Sequence, residues 1–251
     1  MKFEQGAGPV RPFDRNFWTV HLALPLVVAI LVLFSLERTG VDLWLADRWY
    51  AFEGYHWALR NHWLVNKVIH RDGRELLAGL GLVLASLLAV SYRLPSLRNW
   101  RRPIAYLLTC MVVLPALIAC FKHFSSAPCP WDLVRYGGGL PYHHSLSYFF
   151  GAAGTGHCFP AGHASGGFAL LALYFAAYFY ARYPAIYLLP GLLVGFTFAF
   201  GQEARGAHFI SHDLWTLSLC WFGALGLFIL FKPRSWARPA GPQNHGGDSV
   251  Q

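Results

Sequence analysis

Long apolar stretches alternate with polar connections along this chain. Six of them are long enough, or nearly so, to cross a bilayer core, which needs about 20 helical residues. They span 17–36, 75–92, 103–121, 163–180, 185–201 and 214–231. No clear small-residue cleavage site follows the first stretch, so we expect it to remain as a helix and not to act as a signal peptide. The pattern predicts an all-α fold, a bundle of six transmembrane helices.

The composition supports a membrane protein. Of the 251 residues, 55% are hydrophobic and only 13% are charged, whereas soluble domains have about 25% charged residues. We expect one integral-membrane domain over 1–233, followed by a polar tail over 234–251 that is rich in Gly and Pro and predicted to be disordered. The net charge of +8 does not indicate a nucleic-acid partner, because the basic residues form no stripe and no binding module is visible. No protein partner is predicted either.

Lysines and arginines mark one side of the predicted bundle. They precede the first apolar stretch, fill the connection between the second and third, lie between the fourth and fifth, and follow the sixth. These residues are Lys2, Arg11, Arg15, Arg93, Arg98, Arg101, Arg102, Arg182, Lys232, Arg234 and Arg238. Because cytoplasmic loops carry such an excess, we expect both termini in the cytoplasm and the connections 37–74, 122–162 and 205–211 on the opposite, non-cytoplasmic side.

The residues best suited to bind an anion lie at that non-cytoplasmic side. Gly162 and His163 stand at the start of the fourth apolar stretch, where unpaired helix N–H groups favour a phosphate. Lys122 ends the third stretch, and Arg135 follows in the next connection, just before three glycines. The simpler interpretation of Lys122 alone is a lysine that extends to the membrane interface.

A second basic block lies between the fifth and sixth stretches. Arg205, His208 and His212 are spaced i, i+3 and i+7, so they share one face if this segment is helical. An interfacial turn is the simpler interpretation, but Glu203 adds another ionisable group at the same place. The remaining histidines of the outer connections are predicted to be solvated and are assigned no role: His56, His62, His70, His143, His144 and His157.

The cysteines divide into two groups. Cys110, Cys120 and Cys220 lie inside predicted membrane helices and are expected to pack there. Cys129 and Cys158 both lie in the outer connection 122–162. A non-cytoplasmic location permits a disulfide between them, but two free thiols are equally compatible with the sequence.

Three blocks of residues resemble the motifs of the type-2 phosphatidic acid phosphatase superfamily, which also contains bacterial acid phosphatases and vanadium haloperoxidases. Its first motif is a lysine, six residues and Arg-Pro; here Lys122 is followed by six residues and Cys129-Pro130. Its second motif, Pro-Ser-Gly-His, is similar to the sequence that runs from Pro160 to His163, with alanine in place of serine. The resemblance covers residues 103–232. The residues of these motifs are similar to those of a divergent bacterial membrane branch of the superfamily.

The third motif of the superfamily is Ser-Arg, five residues, His, three residues and Asp. One alignment places His208 at the nucleophile position, Gln202 at the arginine position and His212 at the aspartate position. A rival alignment, shifted by an insertion, makes His212 the conserved histidine. We prefer His208. The residue that holds its imidazole stays open among His212, Asp213 and Glu203.

The resemblance implies phosphoryl transfer without a metal or other cofactor. His208 or His212 would form a phosphohistidine, His163 would act as acid and then base, and Lys122, Arg135, Arg205 and the Gly162 backbone would bind phosphate. The implied substrate is a phospholipid phosphate, undecaprenyl pyrophosphate or lipid A at the outer leaflet of a bacterial inner membrane. The active site would then lie at the non-cytoplasmic membrane surface. The resemblance is compatible with either hydrolysis of the phosphate bond or transfer of the phosphate to an acceptor.

Two other functions fit parts of the pattern. His208 and His212, four residues apart, are a common ligand pair and suit a metal-dependent membrane oxidoreductase. The altered first and third motifs suit a membrane transporter or scaffold without catalytic activity.

Overall fold

The computed structural model describes residues 13–149, 156–178 and 181–231. Its principal helices are α1 (Arg15–Arg38), α2 (Val41–Phe52), α3 (Trp63–Ser91), α4 (Pro95–Phe124), α5 (Gly162–Ala177), α6 (Pro184–Ala204) and α7 (Ile210–Leu230). Short 3-10 turns occupy the connections, and these described ranges contain no named strand. The prediction of an all-α fold is therefore confirmed for the described part of the chain.

Each predicted apolar stretch coincides with a helix. Five of these helices, α1, α3, α4, α6 and α7, are long and apolar enough to cross a membrane. The fourth stretch corresponds to α5, which is apolar but shorter, so the count of six crossings stays a prediction, as does the orientation of the bundle. The tail 234–251 lies outside the described residues.

The connection 37–74 contains more helix than the hydropathy pattern predicts. It contains α2, and α3 begins at Trp63 instead of at 75. Residues Trp63–Asp72 form a π-helix that continues directly into the α-helix Gly73–Ser91. This first part of α3 carries lysine, histidine, arginine and aspartate, which explains why hydropathy does not detect it. Extended π-helical geometry is rare and often marks a functional site.

Helices α5 and α6 pack with their backbones in direct contact. A Cβ atom on Gly167 would lie 2.5 Å from the backbone nitrogen of Gly195, and one on Gly191 would lie 2.6 Å from the backbone nitrogen of Leu171. Small residues permit this close approach between membrane helices. The aromatic rings of Phe168, Phe175 and Phe228 are fully buried beside this contact.

Four helix termini meet at one end of the bundle, which we call the site end. Here α4 and α6 finish and α5 and α7 begin. The Ala161 N–H donates to the His212 carbonyl at 3.3 Å, which joins the start of α5 to the start of α7. The connections of the site end are tied by the disulfide Cys129–Cys158, whose Cα atoms lie 5.2 Å apart.

We expect Gly167→Ala to destabilise the protein, because the new methyl group would meet backbone atoms that cannot turn aside. Overpacking of this kind costs about 1–3 kcal/mol. Gly79→Ala on α3 is the matched control, since a Cβ there has no neighbour within 4 Å and alanine favours the helix. Thermal unfolding in detergent should show a lower Tm for Gly167→Ala only. Equal Tm values for the two variants would contradict the direct backbone contact.

Candidate functional site

A cavity of about 750 Å³ opens between α3, α4 and α5 at the site end. Its polar wall contains His70, Arg74, Lys122 and His163, together with Ser165. No aspartate or glutamate is among the described residues that line it. Uncompensated positive charge next to apolar walls attracts an anion strongly, because the surroundings screen the charge poorly.

Lys122 extends from the last turn of α4 towards the start of α5. Its Nζ would lie 3.6 Å from a Cβ on Gly162, which is ordinary van der Waals contact. A larger residue at 162 would therefore add side-chain atoms between the ammonium group and the backbone at the start of α5. The structure brings together the two features that the sequence predicted for phosphate binding at this point, a lysine and an exposed stretch of backbone.

His163 occupies the first turn of α5 and is held by two other helices. Its Nε2 lies 3.2 Å from the Ile69 carbonyl oxygen in α3, and because that oxygen can only accept, Nε2 carries the proton. The imidazole also packs on Phe198 of α6, with ring centroids 4.1 Å apart. Nδ1 remains as the ring nitrogen that can exchange a proton with a ligand.

His208 and His212 form a buried pair beside the cavity and not on its wall. Their side chains are only 5% and 2% exposed, and the two Nδ1 atoms lie 3.5 Å apart. The Cys158 backbone lies next to both rings, so the connection 122–162 contacts the third motif. Burial, and then the charges of Lys122 and His212, hold the pKa of His208 well below its ordinary value. His208 is therefore neutral at neutral pH.

The turn that carries His208 depends on Gly206. This residue has a φ of +69°, which L side chains rarely adopt, and a Cβ here would clash with the Trp57 ring. The Gly206 carbonyl accepts a hydrogen bond of 3.0 Å from the Trp131 N–H. The glycine therefore fixes the turn between α6 and α7 against the connections on either side.

Asp42 of α2 holds the start of α7. Its buried carboxylate accepts two hydrogen bonds from Ser211, one from the backbone N–H at 3.0 Å and one from the hydroxyl at 2.6 Å. Burial raises the pKa of Asp42, and the bonds from Ser211 oppose that shift. A segment outside the three motifs thus positions the helix that begins beside His208.

Of the three residues considered as partners for the His208 imidazole, His212 is the one in contact with it. Glu203 and Asp213 are buried, but neither has a recorded hydrogen bond to either histidine. The described part of the chain also shows no group of three or more His, Cys, Asp or Glu side chains arranged to hold a metal ion.

The structure places Arg135 away from the cavity wall, in contrast to the substrate-binding role predicted for it. Its guanidinium makes two hydrogen bonds of 2.7 Å to the Asp47 carboxylate, and the Tyr136 hydroxyl donates to the same carboxylate at 3.0 Å. The ion pair lowers the pKa of Asp47. Because its charge is already neutralised, Arg135 serves to join the connection 122–162 to α2.

Arg205 follows the end of α6 and acts at the edge of the site. Its Nε donates to the Arg60 carbonyl at 2.9 Å, and its second donor reaches the Gln202 side-chain oxygen at 3.3 Å. Arg205 does not line the cavity itself, but its charge acts on both His70 and His163. Burial and the neighbouring cations Arg60 and Arg71 lower its own pKa.

Two cavity residues, His70 and Arg74, were not among the sequence-predicted site residues. His70 had been expected to be solvated, yet its ring lies 4.4 Å from that of His163, centroid to centroid. The one signal in the sequence is their spacing of four, which places two side chains on the same helix face. That signal has meaning only if the helix begins before residue 75, as it does in the structure.

We expect His208 to make stability depend on pH. An unfolded histidine takes up a proton below about pH 6.5, whereas buried His208 resists it because its pKa is lowered. The neutral ring therefore contributes stability that is present above pH 6.5 and is lost as the pH falls, by up to about 1.4 kcal/mol per pH unit. Tm measured between pH 7.5 and 5 should fall more steeply in the wild type than in His208→Gln. If Tm fell with pH at the same rate in the two proteins, His208 would not be the buried group responsible for the pH dependence of stability.

The three motif blocks lie within one matched region of the chain. The model of the PAP2 superfamily matches residues 103–236, more than half of the sequence. Searches of curated proteins and of solved structures gave no match. The matched region includes Lys122, His163, His208 and His212, whereas His70 and Arg74 precede it. This chain belongs to the PAP2 superfamily, the family that its motifs resemble.

Proposed function

We propose that the protein is a membrane lipid phosphate or pyrophosphate phosphatase that works through a phosphohistidine. The observation that carries the proposal is the cavity at the site end, because it combines a cationic wall with a long apolar slot. The cations match a phosphate or diphosphate group. Membership of the PAP2 superfamily supports phosphatase chemistry.

The slot matches the apolar part of a lipid. It continues from the cations between α3 and α4, two helices long and apolar enough to cross a membrane. Its walls are apolar residues of those two helices: Leu77, Ala78, Gly81, Leu82, Ala85, Leu108, Met111, Val112 and Pro115. A lipid would place its phosphate on the cations and a hydrocarbon chain along this slot, whereas a small soluble phosphate would leave the slot unfilled.

The chemistry follows from the placement of the histidines. Neutral His208 attacks phosphorus and forms an N–P bond while the P–O bond to the lipid breaks. His163, protonated for this step, gives its proton to the leaving oxygen. It then accepts a proton from water, whose oxygen attacks the phosphohistidine to release phosphate and restore His208. Because His208 is buried, the attack also requires a shift of the covering side chains.

The remaining groups stabilise charge and orientation. Lys122, Arg74 and Arg205 neutralise the phosphate oxygens, and the Gly162 backbone can approach them because it carries no side chain. His212 takes the role of the aspartate of the third motif, since its Nδ1 lies 3.5 Å from the Nδ1 of His208. With His212 in that role, His208 is the nucleophile, and Asp213 and Glu203 stay outside the reaction.

The proposed location is the bacterial inner membrane, with both termini in the cytoplasm and the site end on the periplasmic side. Arg93, between α3 and α4, and Arg98 and Arg101, near the start of α4, lie at the opposite ends of those helices from the cavity cations, in agreement with the positive-inside rule. Phosphatidylglycerophosphate, phosphatidate, undecaprenyl pyrophosphate and lipid A are the lipid phosphates to test.

The two histidines should affect activity differently. His208→Gln removes the nucleophile and should lower kcat on every lipid phosphate by at least about 1,000-fold. His163→Gln removes the acid and base and should lower kcat by about 100- to 10,000-fold. With p-nitrophenyl phosphate, whose leaving group needs no acid, His163→Gln should still accumulate a phosphoenzyme that is labile to acid and stable to base.

The control for these variants is His62→Gln, because His62 is exposed and does not line the cavity. Phosphate release and phosphoenzyme are measured in detergent micelles. Full activity of His208→Gln, or the absence of hydrolysis of all four lipids by the wild type, would overturn the proposal. Activity that is lost to a chelator and restored by a metal would favour the oxidoreductase or another metal enzyme.

The apolar slot gives a second prediction. Gly81→Leu should fill the slot, because Gly81 lines it and a Cβ there has no neighbour within 4 Å. We expect KM for a long-chain lipid phosphate to rise at least tenfold, with little change for a short-chain phosphate. Gly79→Leu is the matched control on the same helix, with equal free space and no place in the slot. Equal effects of the two variants, or equal effects on long and short chains, would contradict the placement of the lipid chain.

A further inference from the structure

His70 belongs to a hydrogen-bond chain that reaches the cavity from outside the three motifs. The Arg205 guanidinium donates to the Gln202 side-chain oxygen at 3.3 Å. The Gln202 side-chain nitrogen lies 2.8 Å from Nδ1 of His70. His70 itself lines the cavity together with Lys122 and His163.

This chain determines where His70 carries its proton. A guanidinium has donors only, so the oxygen of the Gln202 amide must face Arg205 and its NH₂ must face His70. The NH₂ group donates, and Nδ1 therefore accepts and carries no proton. In the neutral imidazole the proton is then on Nε2. None of the described residues forms a hydrogen bond with Nε2 of His70, so this N–H is available to a ligand in the cavity.

The position of Gln202 gives this N–H a role. In the alignment that makes His208 the nucleophile, Gln202 stands where the third motif has its arginine, and an amide cannot supply the charge or the reach of a guanidinium. We propose that His70 is a phosphate-binding residue that replaces this arginine, with its Nε2–H directed at the phosphate by Gln202 and Arg205. The proposal rests on the phosphatase function proposed above.

The surroundings of His70 fit this role. The charged and titratable groups that face it are Arg71 and Arg74 on its own helix, Lys122 on α4, His163 on α5 and Arg205 after α6. Every group in this set that carries a permanent charge is a cation. A bound phosphate would supply the negative charge that balances them. A neutral donor among several cations adds direction to phosphate binding without further repulsion between the side chains.

The first test compares His70→Gln with His70→Asn in the full chain. Glutamine can place an N–H near the position of Nε2, whereas asparagine reaches only the position of Nδ1. We expect kcat/KM for lipid phosphate, and affinity for inorganic phosphate, to fall at least tenfold in His70→Asn, which is the effect of one hydrogen bond to a charged group. His70→Gln should recover part of both. His62→Asn, at the exposed residue just before the same π-helix, is the control that should match the wild type.

The second test reverses the hydrogen bond. In Gln202→Glu the carboxylate accepts from Arg205 and needs an N–H on Nδ1 of His70. At low pH the imidazolium still offers Nε2–H to the phosphate, but at high pH the single proton stays on Nδ1 and the donor is lost. The kcat/KM profile of Gln202→Glu should therefore gain an additional alkaline limb, beyond the one that deprotonation of His163 gives the wild type. This additional limb should be absent again in Gln202→Glu combined with His70→Gln.

The outcomes separate the two proposals. If the wild type hydrolyses lipid phosphates while His70→Asn retains wild-type kcat/KM, phosphate affinity and pH profile, the role of His70 is wrong and the phosphatase function stands. If the wild type hydrolyses none, the phosphatase function fails, and calorimetric binding of inorganic phosphate to the same variants still tests His70. A Tm of His70→Asn equal to the wild type excludes misfolding as the cause. If the Tm of His70→Asn is lower than that of the wild type, two other results test the role of His70: the partial recovery in His70→Gln and the additional alkaline limb of Gln202→Glu.

Discussion

The direct contact between the backbones of α5 and α6 is the constraint on which the site depends. It brings the first turn of α5, with His163, onto Phe198 of α6. Gln202 follows Phe198 by one helical turn and reaches His70 in α3. A wider spacing between α5 and α6 would therefore move His163 away from Phe198 and from the side of α6 that carries Gln202. The glycines at 167, 191 and 195 take no part in the chemistry themselves. They allow α5 and α6 to approach closely enough to position the groups that do.

The charges of the site end divide into those that are neutralised within the protein and those that are not. Asp42 is satisfied by Ser211, and Arg135 by Asp47. Lys122 and Arg74 have no acidic neighbour on the cavity wall. Isolated charges next to apolar surroundings are unfavourable, so a bound anion stabilises this end of the bundle. Burial, and then the charge of Lys122, lowers the pKa of His208 and keeps it neutral, which is the form that the proposed nucleophile requires.

The helices and the three motif blocks could be predicted because both depend on local sequence. Hydropathy detects apolar stretches, and the motif spacing placed His208 and His212 close enough for their Nδ1 atoms to lie 3.5 Å apart. Two features of the site end could not be predicted, for one reason: the ion pair of Arg135 and the place of His70 on the cavity wall. Each depends on a partner far along the chain, Asp47 for Arg135 and Gln202 for His70. The polar start of α3, which carries His70, is also invisible to a search for apolar segments.

The hydrogen bonds that Ser211 donates to Asp42 have a consequence for which part of the chain forms the functional unit. The family match begins at residue 103, yet α2 anchors the helix start next to His208, and α3 supplies two of the five polar residues of the cavity wall. A fragment cut at the boundary of the match would keep every motif residue and lose the surfaces that orient them. The segment before residue 103 is thus part of the structural unit that holds the motif residues in place, although it carries none of the three motifs.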